Sequence, residues 1–436
     1  MIHHQIKPLI LIAFFALGSE FAIAQSTTSD VPDTTKKSDF FASPTGVEAA
    51  PVIFGASPTA VGGYHSIDQP NPAGGVRAGP FTISPVVSAA AGHDDNVGLR
   101  STNKNSSAFY NLAPGVIVAL PGPAQRYSAS YFGNYGRYTS SSKDNYDDHA
   151  VGLDANNEWS TRLRTLLRYD FNRGHDPRGA TASATAADAP DRWDTNALNG
   201  TAVYGAKGAQ GNIEVDAGWG NRRYLTNRDI TAAKDYQHKD LGGTFYYRVA
   251  PATQALFQVR GSRIDYDTNT SLNSTESRYL VGVRWDATAK TQGTAKVGYM
   301  KKKFSDSTRQ DLSNPSYEAG VIWSPLTYSV FNLNAGRTFS EQTSGGDAIL
   351  TDSVSLLWNH DWSSRVRSTA LLARARDVHE GIDRSDTRDN LGLKASYAFR
   401  RWLRLGGEVR QEKRDSNVPN VDYTRNLMLF TFDATL

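Results

Sequence analysis

The sequence contains no cysteine, which excludes disulfide scaffolds and thiolate metal sites. Net charge is also nearly absent, because 47 Lys and Arg residues stand against 44 Asp and Glu residues, a formal +3. The overall charge therefore gives no indication of nucleic acid as a partner. Beyond the N-terminal segment there is no long apolar run and the mean hydropathy is negative, which excludes an inner-membrane protein built of helices.

The residues that are abundant favour extended structure. The chain has 20 Tyr, 18 Phe and 8 Trp but only 3 Met, together with 37 Gly. Aromatic residues are enriched in strands, whereas glycine breaks both helices and strands and is frequent in turns. The composition therefore indicates strands joined by frequent turns rather than helices.

The N-terminus has the features of a secretory signal. Lys7 supplies a positive start, residues 9–17 form a short apolar run, and Ala22-Ile23-Ala24 is a small-residue cleavage site. The apolar run is too short to span a bilayer as a helix. We predict a signal peptide over residues 1–24, a flexible periplasmic lead-in or plug segment rich in Pro, Gly, Ala, Ser and Thr over residues 25–80, and a folded domain over residues 81–436.

A period of two in polarity begins at Phe81 and recurs to the end of the chain. In the clearest example Leu167 and Tyr169 fall on one face, whereas Arg168 and Asp170 fall on the other. Successive side chains of a strand point to opposite faces, so this alternation predicts strands with one polar and one apolar side. Such segments recur about every 20 residues, as transmembrane β-strands with their connections do.

The connections between these segments alternate in length, which is the more specific signal. Tight connections are predicted near residues 121–124, 160–161, 207–210, 251–254, 289–292, 325–327, 363–364 and 400–401. Longer polar ones are predicted at residues 94–105, 140–148, 175–192, 226–235, 268–276, 305–314, 341–347, 379–386 and 414–420. Outer-membrane barrels have short periplasmic turns and long outer loops, so we predict an all-β fold, a single transmembrane antiparallel β-barrel of about 18 strands (16 to 20), located in the bacterial outer membrane.

The last segment carries an apolar face that continues to the end of the chain. Met428, Phe430 and Phe432 lie on this face with Ala434 and Leu436, opposite Thr431 and Asp433. The pattern resembles the C-terminal signal of outer-membrane proteins, which usually ends in Phe or Trp rather than Leu. We therefore expect the barrel-assembly machinery as a partner, along with outer-membrane lipids and lipopolysaccharide.

Several short stretches resemble one family of barrels. They are residues 86–97, the run Leu112-Ala113-Pro114-Gly115, the Tyr-rich residues 127–138, residues 144–149 and residues 173–179. Together they resemble the putative beta-barrel porin 2 family, whose members are often associated with exopolysaccharide or capsule biosynthesis operons. The resemblance implies an outer-membrane location and a role in polysaccharide export, with polysaccharide or export machinery as partners. It carries over no catalytic residue.

A polar lumen is the feature that a conducting barrel needs, and alternation assigns the inward side chains. The predicted pore-lining residues are Arg164, Arg168, Arg248, Arg260, Arg284, Lys296, Lys394, Arg404, Arg410, Glu214, Asp216 and Glu408. Arginine makes bidentate contacts with carboxylates and phosphates, so this set could line a path for an anionic solute. In the alternative interpretation, the arginines pair with neighbouring acids and fill the lumen.

Other charged and aromatic groups are assigned structural roles. Outward aromatic residues are predicted to form interface girdles, namely Tyr131, Trp159, Tyr169, Trp219, Tyr247, Trp285, Trp323 and Trp362. Acidic clusters at Asp94-Asp95, at Asp144, Asp147 and Asp148, and at Asp383 and Asp386 are predicted in outer loops. Oxygen ligands of this kind could take Ca²⁺, but their spacing matches no defined calcium loop, so solvated loops are the simpler interpretation.

The sequence has few of the motifs that indicate a catalytic, metal or cofactor site. It has no Gly-x-Ser-x-Gly elbow, no histidine pair with metal-ligand spacing and no phosphate-binding glycine loop. We therefore expect no catalytic site, cofactor or metal, and no nucleic-acid partner. The functions left open are an outer-membrane pore or export conduit, a non-conducting scaffold barrel that binds glycan or its synthesis machinery, and, as the least favoured class, an outer-membrane enzyme.

Overall fold

The computed structural model describes residues 75–180, 189–288, 290–341 and 345–435. The predicted signal peptide and most of the predicted lead-in lie outside the described residues. Within the described ranges, none of the helices has the length and apolar character that crossing a membrane would require.

Nineteen strands make up about three quarters of the described residues. They are β1 (Val76–Ala78), β2 (Phe81–Asp94), β3 (Ser107–Leu120), β4 (Gln125–Tyr138), β5 (Tyr146–Glu158), β6 (Leu163–Asp176), β7 (Asp191–Tyr204), β8 (Gly211–Tyr224), β9 (Tyr236–Ala250), β10 (Thr253–Tyr266), β11 (Ser274–Thr288), β12 (Thr291–Phe304), β13 (Leu312–Leu326), β14 (Ser329–Ser340), β15 (Ala348–Asp361), β16 (Val366–Glu380), β17 (Arg384–Arg400), β18 (Leu403–Ser416) and β19 (Tyr423–Thr435). One helical turn, α1 (Arg228–Thr231), lies between β8 and β9.

The strands β2 to β19 form one closed antiparallel sheet. Each pairs with its neighbour in sequence, and β19 pairs with β2 from Leu427↔Asp94 to Thr435↔Val86. The predicted fold class, an 18-stranded antiparallel barrel, is confirmed. The short strand β1 pairs with the start of β2 through Ala78↔Phe81, and Gly79 takes a positive φ of 62° in the turn between them. The last residues of the predicted lead-in therefore extend the sheet by one short strand.

The connections alternate between long and short, as the sequence predicts. At one end of the barrel, called the loop end here, the connections are 95–106, 139–145, 177–190, 225–235, 267–273, 305–311, 341–347, 381–383 and 417–422, and all of them except 381–383 have at least six residues. The shorter set is 121–124, 159–162, 205–210, 251–252, 289–290, 327–328, 362–365 and 401–402, at the opposite turn end. One prediction is wrong, because residues 379–386 are not a long loop: β16 and β17 continue to Glu380 and from Arg384, leaving a three-residue turn.

The alternation of polarity along each strand separates an inner from an outer face. In β19, Met428 and Phe430 are 65% and 59% exposed, whereas Thr431 and Asp433 are buried. The predicted girdle residues lie on the outward side of the wall, with Trp159, Trp323 and Trp362 among the most exposed. An apolar outer face and a polar inner face are the arrangement that a bilayer on the outside and water on the inside require.

Candidate functional site: the inner wall and the loop-end mouth

The structure places all twelve predicted pore-lining side chains on the inward face. In β6, for example, Arg164 and Arg168 are buried while Leu167 between them is 51% exposed on the outside. The same alternation places the predicted residues of β8 to β12, β17 and β18 inward. Whether these side chains contact a passing solute stays a prediction.

The first group of inner-wall charges lies on β5 and β6. Two nitrogens of Arg168, Nε and Nη2, each bond a carboxylate oxygen of Asp170 at 2.6 Å, and Nη1 lies 3.3 Å from Asp154 on the neighbouring strand. Arg164 is 4% exposed nearer the turn end, and its Nε and Nη1 atoms have no hydrogen-bond partner among the described residues. One arginine is thus fixed by acids, whereas the other keeps donor capacity.

A second group of inner-wall charges spans β8 to β11, and two of its side chains occupy the space left by a glycine. Asp216, Gly242 and Arg260 are directly opposite one another across β8, β9 and β10. A Cβ atom on Gly242 would lie 2.8 Å from Oδ2 of Asp216 and 3.3 Å from Cγ of Arg260, so the two side chains share the space above this glycine. Glu214 lies in the field of Arg260 and Arg284. Arg284 also lies 5.1 Å from the ring centre of Tyr246.

Two more cations on this side of the wall contact Glu318. The Lys296 ammonium and the Arg278 guanidinium both bond its carboxylate, the latter at 2.6 Å. Lys296 also donates to Gln258 at 3.1 Å, and Arg278 donates to Thr338 at 2.8 Å, three strands away from β11. Arg248 donates to the carbonyl of Pro251 at 3.4 Å, at the turn end.

Charges on β17 to β19 are paired in the same way. Lys394 is 1% exposed and its Nζ atom lies 3.2 Å from Asp433. Glu408 is 2% exposed and accepts a 2.7 Å bond from Arg410, and Arg404 occupies the same face nearer the turn end. The inner wall therefore carries charges of both signs in close contact, which is the pairing that the alternative interpretation of the sequence describes.

At the loop end, a buried lysine joins several strands. Lys302 of β12 has a fully buried side chain and bonds Glu276 at 2.9 Å and Glu341 at 2.6 Å. Glu341, which follows β14, also accepts a 2.7 Å bond from the Tyr266 hydroxyl of β10. These four residues are called the lysine cluster. Tyr266 also belongs to an apolar group that includes Phe304, so inward side chains of the barrel fill this part of the mouth.

Next to the lysine cluster, Arg309 of one connection bonds residues of two others. Its guanidinium bonds the hydroxyl of Ser271 at 3.0 Å, the carbonyl of Gly346 at 3.3 Å and the carboxylate of Asp347. These residues belong to connections 267–273, 305–311 and 341–347. Connections 267–273 and 341–347 are therefore both bonded to connection 305–311 through Arg309.

Connection 225–235 is anchored close to the same end. Asn227, which precedes α1, donates to Asp191 at 2.5 Å, and Arg228 bonds Asp235 at 2.7 Å. Lys234 lies 3.9 Å from Asp191, and burial lowers the pKa of this lysine below its usual range. The segment thus packs onto the barrel rather than extending from it.

The start of the longest connection crosses the opposite side of the mouth. Arg178 bonds Asp144 at 2.7 Å, and the carbonyls of Gly179 and Ala180 accept bonds of 2.9 Å and 3.3 Å from Arg414 of β18. Since β18 lies six strands from β6 round the sheet, residues 177–180 reach over the lumen rather than away from it. The sequence does not decide whether the loop predicted at residues 175–192 folds inward or lies outside, and these contacts decide it for residues 177–180.

The acidic clusters are correctly located in part. Asp94 is the last residue of β2, Asp147 and Asp148 lie in β5, and Asp386 lies in β17, so their assignment to loops is wrong. Their carboxylates are bonded, Asp147 to Arg137 at 2.6 Å, Asp148 to His175 at 2.9 Å, and Asp386 to Arg384 at 2.5 Å. Among the described residues, no three His, Asp or Glu side chains are grouped closely enough to hold a metal ion.

Comparison with known proteins decides the family. The family model described as "Putative beta-barrel porin 2" matches residues 69–434. This chain belongs to that family. It is an outer-membrane β-barrel with a porin-like fold, as the motifs of the sequence imply. No curated protein sequence matches it significantly.

Several solved structures are weakly similar to this chain, at low identity. A BenF-like porin from Pseudomonas fluorescens Pf-5 is 8% identical with a TM-score of 0.46, over 82% of this chain and 99% of that one. OccK5 (OpdH) from Pseudomonas aeruginosa is 13% identical with a TM-score of 0.41, over 81% and 98%. The FrpB iron transporter from Neisseria meningitidis (F3-3 variant) is 13% identical with a TM-score of 0.43, over 76% of this chain and 62% of its own.

The residues that narrow the mouth of this porin-like barrel were not predicted from the sequence. Lys302 could have been found, because it has the same parity as Lys296 on β12 and therefore faces inward. Glu276 was assigned to a loop, although it lies in β11. The bonds of Arg414 to Gly179 and Ala180 have no local signal, since the partners are 235 and 234 positions apart.

Proposed function

We propose that this barrel is an outer-membrane conduit for acidic hydrophilic solutes, linked to the export of exopolysaccharide or capsule. The observation that carries the proposal is the closed 18-stranded sheet whose inner face is charged while its outer face is apolar. Porins of about 16 to 18 strands enclose an aqueous channel. The link to polysaccharide rests on the family, whose members are often associated with its biosynthesis operons.

The arginines of the inner wall are the side chains suited to an acidic glycan. A guanidinium contacts a carboxylate through two parallel hydrogen bonds and keeps its charge at any physiological pH. Arg164 is the best placed, because two of its nitrogens lack a hydrogen-bond partner among the described residues. Exchange between such donors and the acids beside them would let a glycan advance without being held at one point.

The loop-end mouth is the step at which passage would be controlled. Residues 177–180 on one side and the lysine cluster on the other lie over the lumen. A glycan chain can pass through the mouth only if residues 177–180 or the lysine cluster moves. The 177–180 segment is the better candidate, because its link to β18 consists of two bonds from a single side chain, that of Arg414.

Conductance in planar bilayers tests this proposal. We expect the purified mature protein to give steady current with anion preference, and the change of Arg164, Arg168, Arg260 and Arg284 to Ser to reduce that preference. Arg414→Ala should raise the single-channel conductance, because it releases residues 177–180 from β18. Arg374→Ser, on the exposed outer wall, is the matched control and should leave both quantities unchanged.

A non-conducting scaffold is the second candidate, and a specific observation favours it. Lys394, Glu408 and Lys296 are each at most 3% exposed, whereas the lining of a wide aqueous channel is expected to be wetted. A scaffold would bind glycan or its synthesis machinery at the loop end. A correctly folded barrel that carries no current, with or without Arg414→Ala, would replace the conduit by this function.

A further inference from the structure

The outward face of β9 to β12 carries four cations close to the loop end. Lys239, Arg263, Thr275 and Lys303 lie opposite one another in one row across the four strands, and Lys301 lies two residues below Lys303. All four cationic side chains are exposed. With strands about 4.8 Å apart, the row spans about 14 Å. We call Lys239, Arg263, Lys301 and Lys303 the basic patch.

Few acids neutralise the basic patch. Of the described outward-facing side chains of β9 to β12, Asp265 is the one carboxylate, and it bonds Nε of Arg263 at 3.1 Å. On β14 to β18, by contrast, the outward cations are largely matched. Arg337 bonds Asp352 at 2.5 Å, Arg374 bonds Asp389 at 2.7 Å and Lys413 bonds Asp415 at 2.7 Å.

Directly below the basic patch the wall becomes apolar. Tyr279 and Tyr299 lie opposite each other in the next row below Lys301 and are 48% and 41% exposed. The following row contains Phe257, Val281 and Val297, which are 50%, 52% and 60% exposed. Cations therefore border an aromatic row, and the aromatic row borders an aliphatic band, which is the order of headgroup, interface and hydrocarbon in a membrane leaflet.

We propose that the basic patch binds the phosphate groups of a phosphorylated glycolipid in the outer leaflet, whose acyl chains lie along the apolar band below. A glycolipid with phosphates on its sugar backbone presents anionic groups at headgroup depth, where lysine and arginine attract them. The aliphatic band supplies the second half of the site, because the acyl chains bury apolar surface there. This binding surface is on the outside of the wall and does not depend on the conduit proposed above.

Affinity for bisphosphorylated lipid A, measured by native mass spectrometry on the detergent-purified mature barrel, tests the proposal. The fourfold variant Lys239→Gln, Arg263→Gln, Lys301→Gln and Lys303→Gln should bind at least about tenfold more weakly, since cations near a membrane surface attract anionic headgroups. The matched control changes Arg337, Arg374, Arg376 and Lys413 to Gln. It removes the same charge from the other side of the wall, and its affinity should stay within about twofold of the wild type.

Three further measurements complete the test. Dephosphorylated lipid A should bind the wild type as weakly as bisphosphorylated lipid A binds the fourfold variant, and neither inorganic phosphate nor phosphatidylglycerol should displace the glycolipid. Equal losses in both fourfold variants would overturn the proposal in favour of a net-charge effect. Displacement by phosphatidylglycerol would overturn it in favour of a general anionic lipid surface. The heat-dependent shift in gel mobility of folded barrels verifies that each variant is folded.

Discussion

Three consecutive lysines at the end of β12 show how differently the two faces of the wall use the same side chain. Lys301 and Lys303 point outward and are exposed, whereas Lys302 between them is fully buried against Glu276 and Glu341. The residue type and the position along the barrel are the same. The direction set by the strand alone decides whether the charge is exposed on the outer wall or buried between carboxylates, so matched substitutions can separate the two faces.

The largest effect is expected at Lys302. Lys302→Met removes the cation from between two carboxylates, and we expect the free energy of unfolding to fall by about 3–5 kcal/mol, the usual cost of removing one partner of a buried ion pair. Lys301→Met should leave stability unchanged within error, because that side chain is exposed. Urea titration of the barrel in vesicles, followed by tryptophan fluorescence, measures both.

The carboxylates provide the control for this prediction. If the loss in Lys302→Met comes from two unpaired acids, then adding Glu276→Gln and Glu341→Gln to it should recover a large part of the stability. A triple variant as unstable as the single one would show instead that the aliphatic packing of the lysine side chain is what matters. That result would remove the difference between inner and outer lysines on which the comparison rests.

The sequence predicts the wall better than it predicts the mouth, for a physical reason. Within the hydrocarbon one face of every strand must be apolar, so alternation is strong, and the strand number and the inward parity of Arg168 or Lys394 follow from it. Beyond the hydrocarbon both faces are polar and alternation fades. This is why residues 379–386 were predicted as a loop, although most of them continue β16 and β17. Contacts such as Arg414 with Gly179 join distant parts of the chain and leave no periodic signal.

An intermediate effect is expected at two adjacent glycines of β9. Gly242 faces inward, where an added Cβ would lie 2.8 Å from Asp216, whereas Gly243 faces outward and has no atom within 4 Å of the added Cβ. We expect Gly242→Val to destabilise the barrel by about 1–3 kcal/mol, as overpacking does. Gly243→Val should be neutral or slightly stabilising, because valine is favoured in strands. The same urea titration distinguishes them, and equal losses would mean that backbone rather than inner-wall packing limits this strand.

The smallest effect is expected for the exposed pair of Arg374 and Asp389 on the outer wall. The pair is bidentate, with bonds of 2.7 Å and 2.9 Å, but the arginine side chain is 66% exposed. A double-mutant cycle with Arg374→Met and Asp389→Leu should therefore give a coupling within experimental error if the pair lies in water. The same cycle on the buried inner pair of Arg168 and Asp170 should give a coupling of about 2 kcal/mol.

Both cycles are made on barrels in vesicles, so the outer pair also reports its depth in the membrane. A coupling at Arg374 as large as that at Arg168 would place the outer pair in a low-dielectric region. The outer pair would then behave like the inner one, and the difference between charges on the two faces of the wall would not hold for this pair.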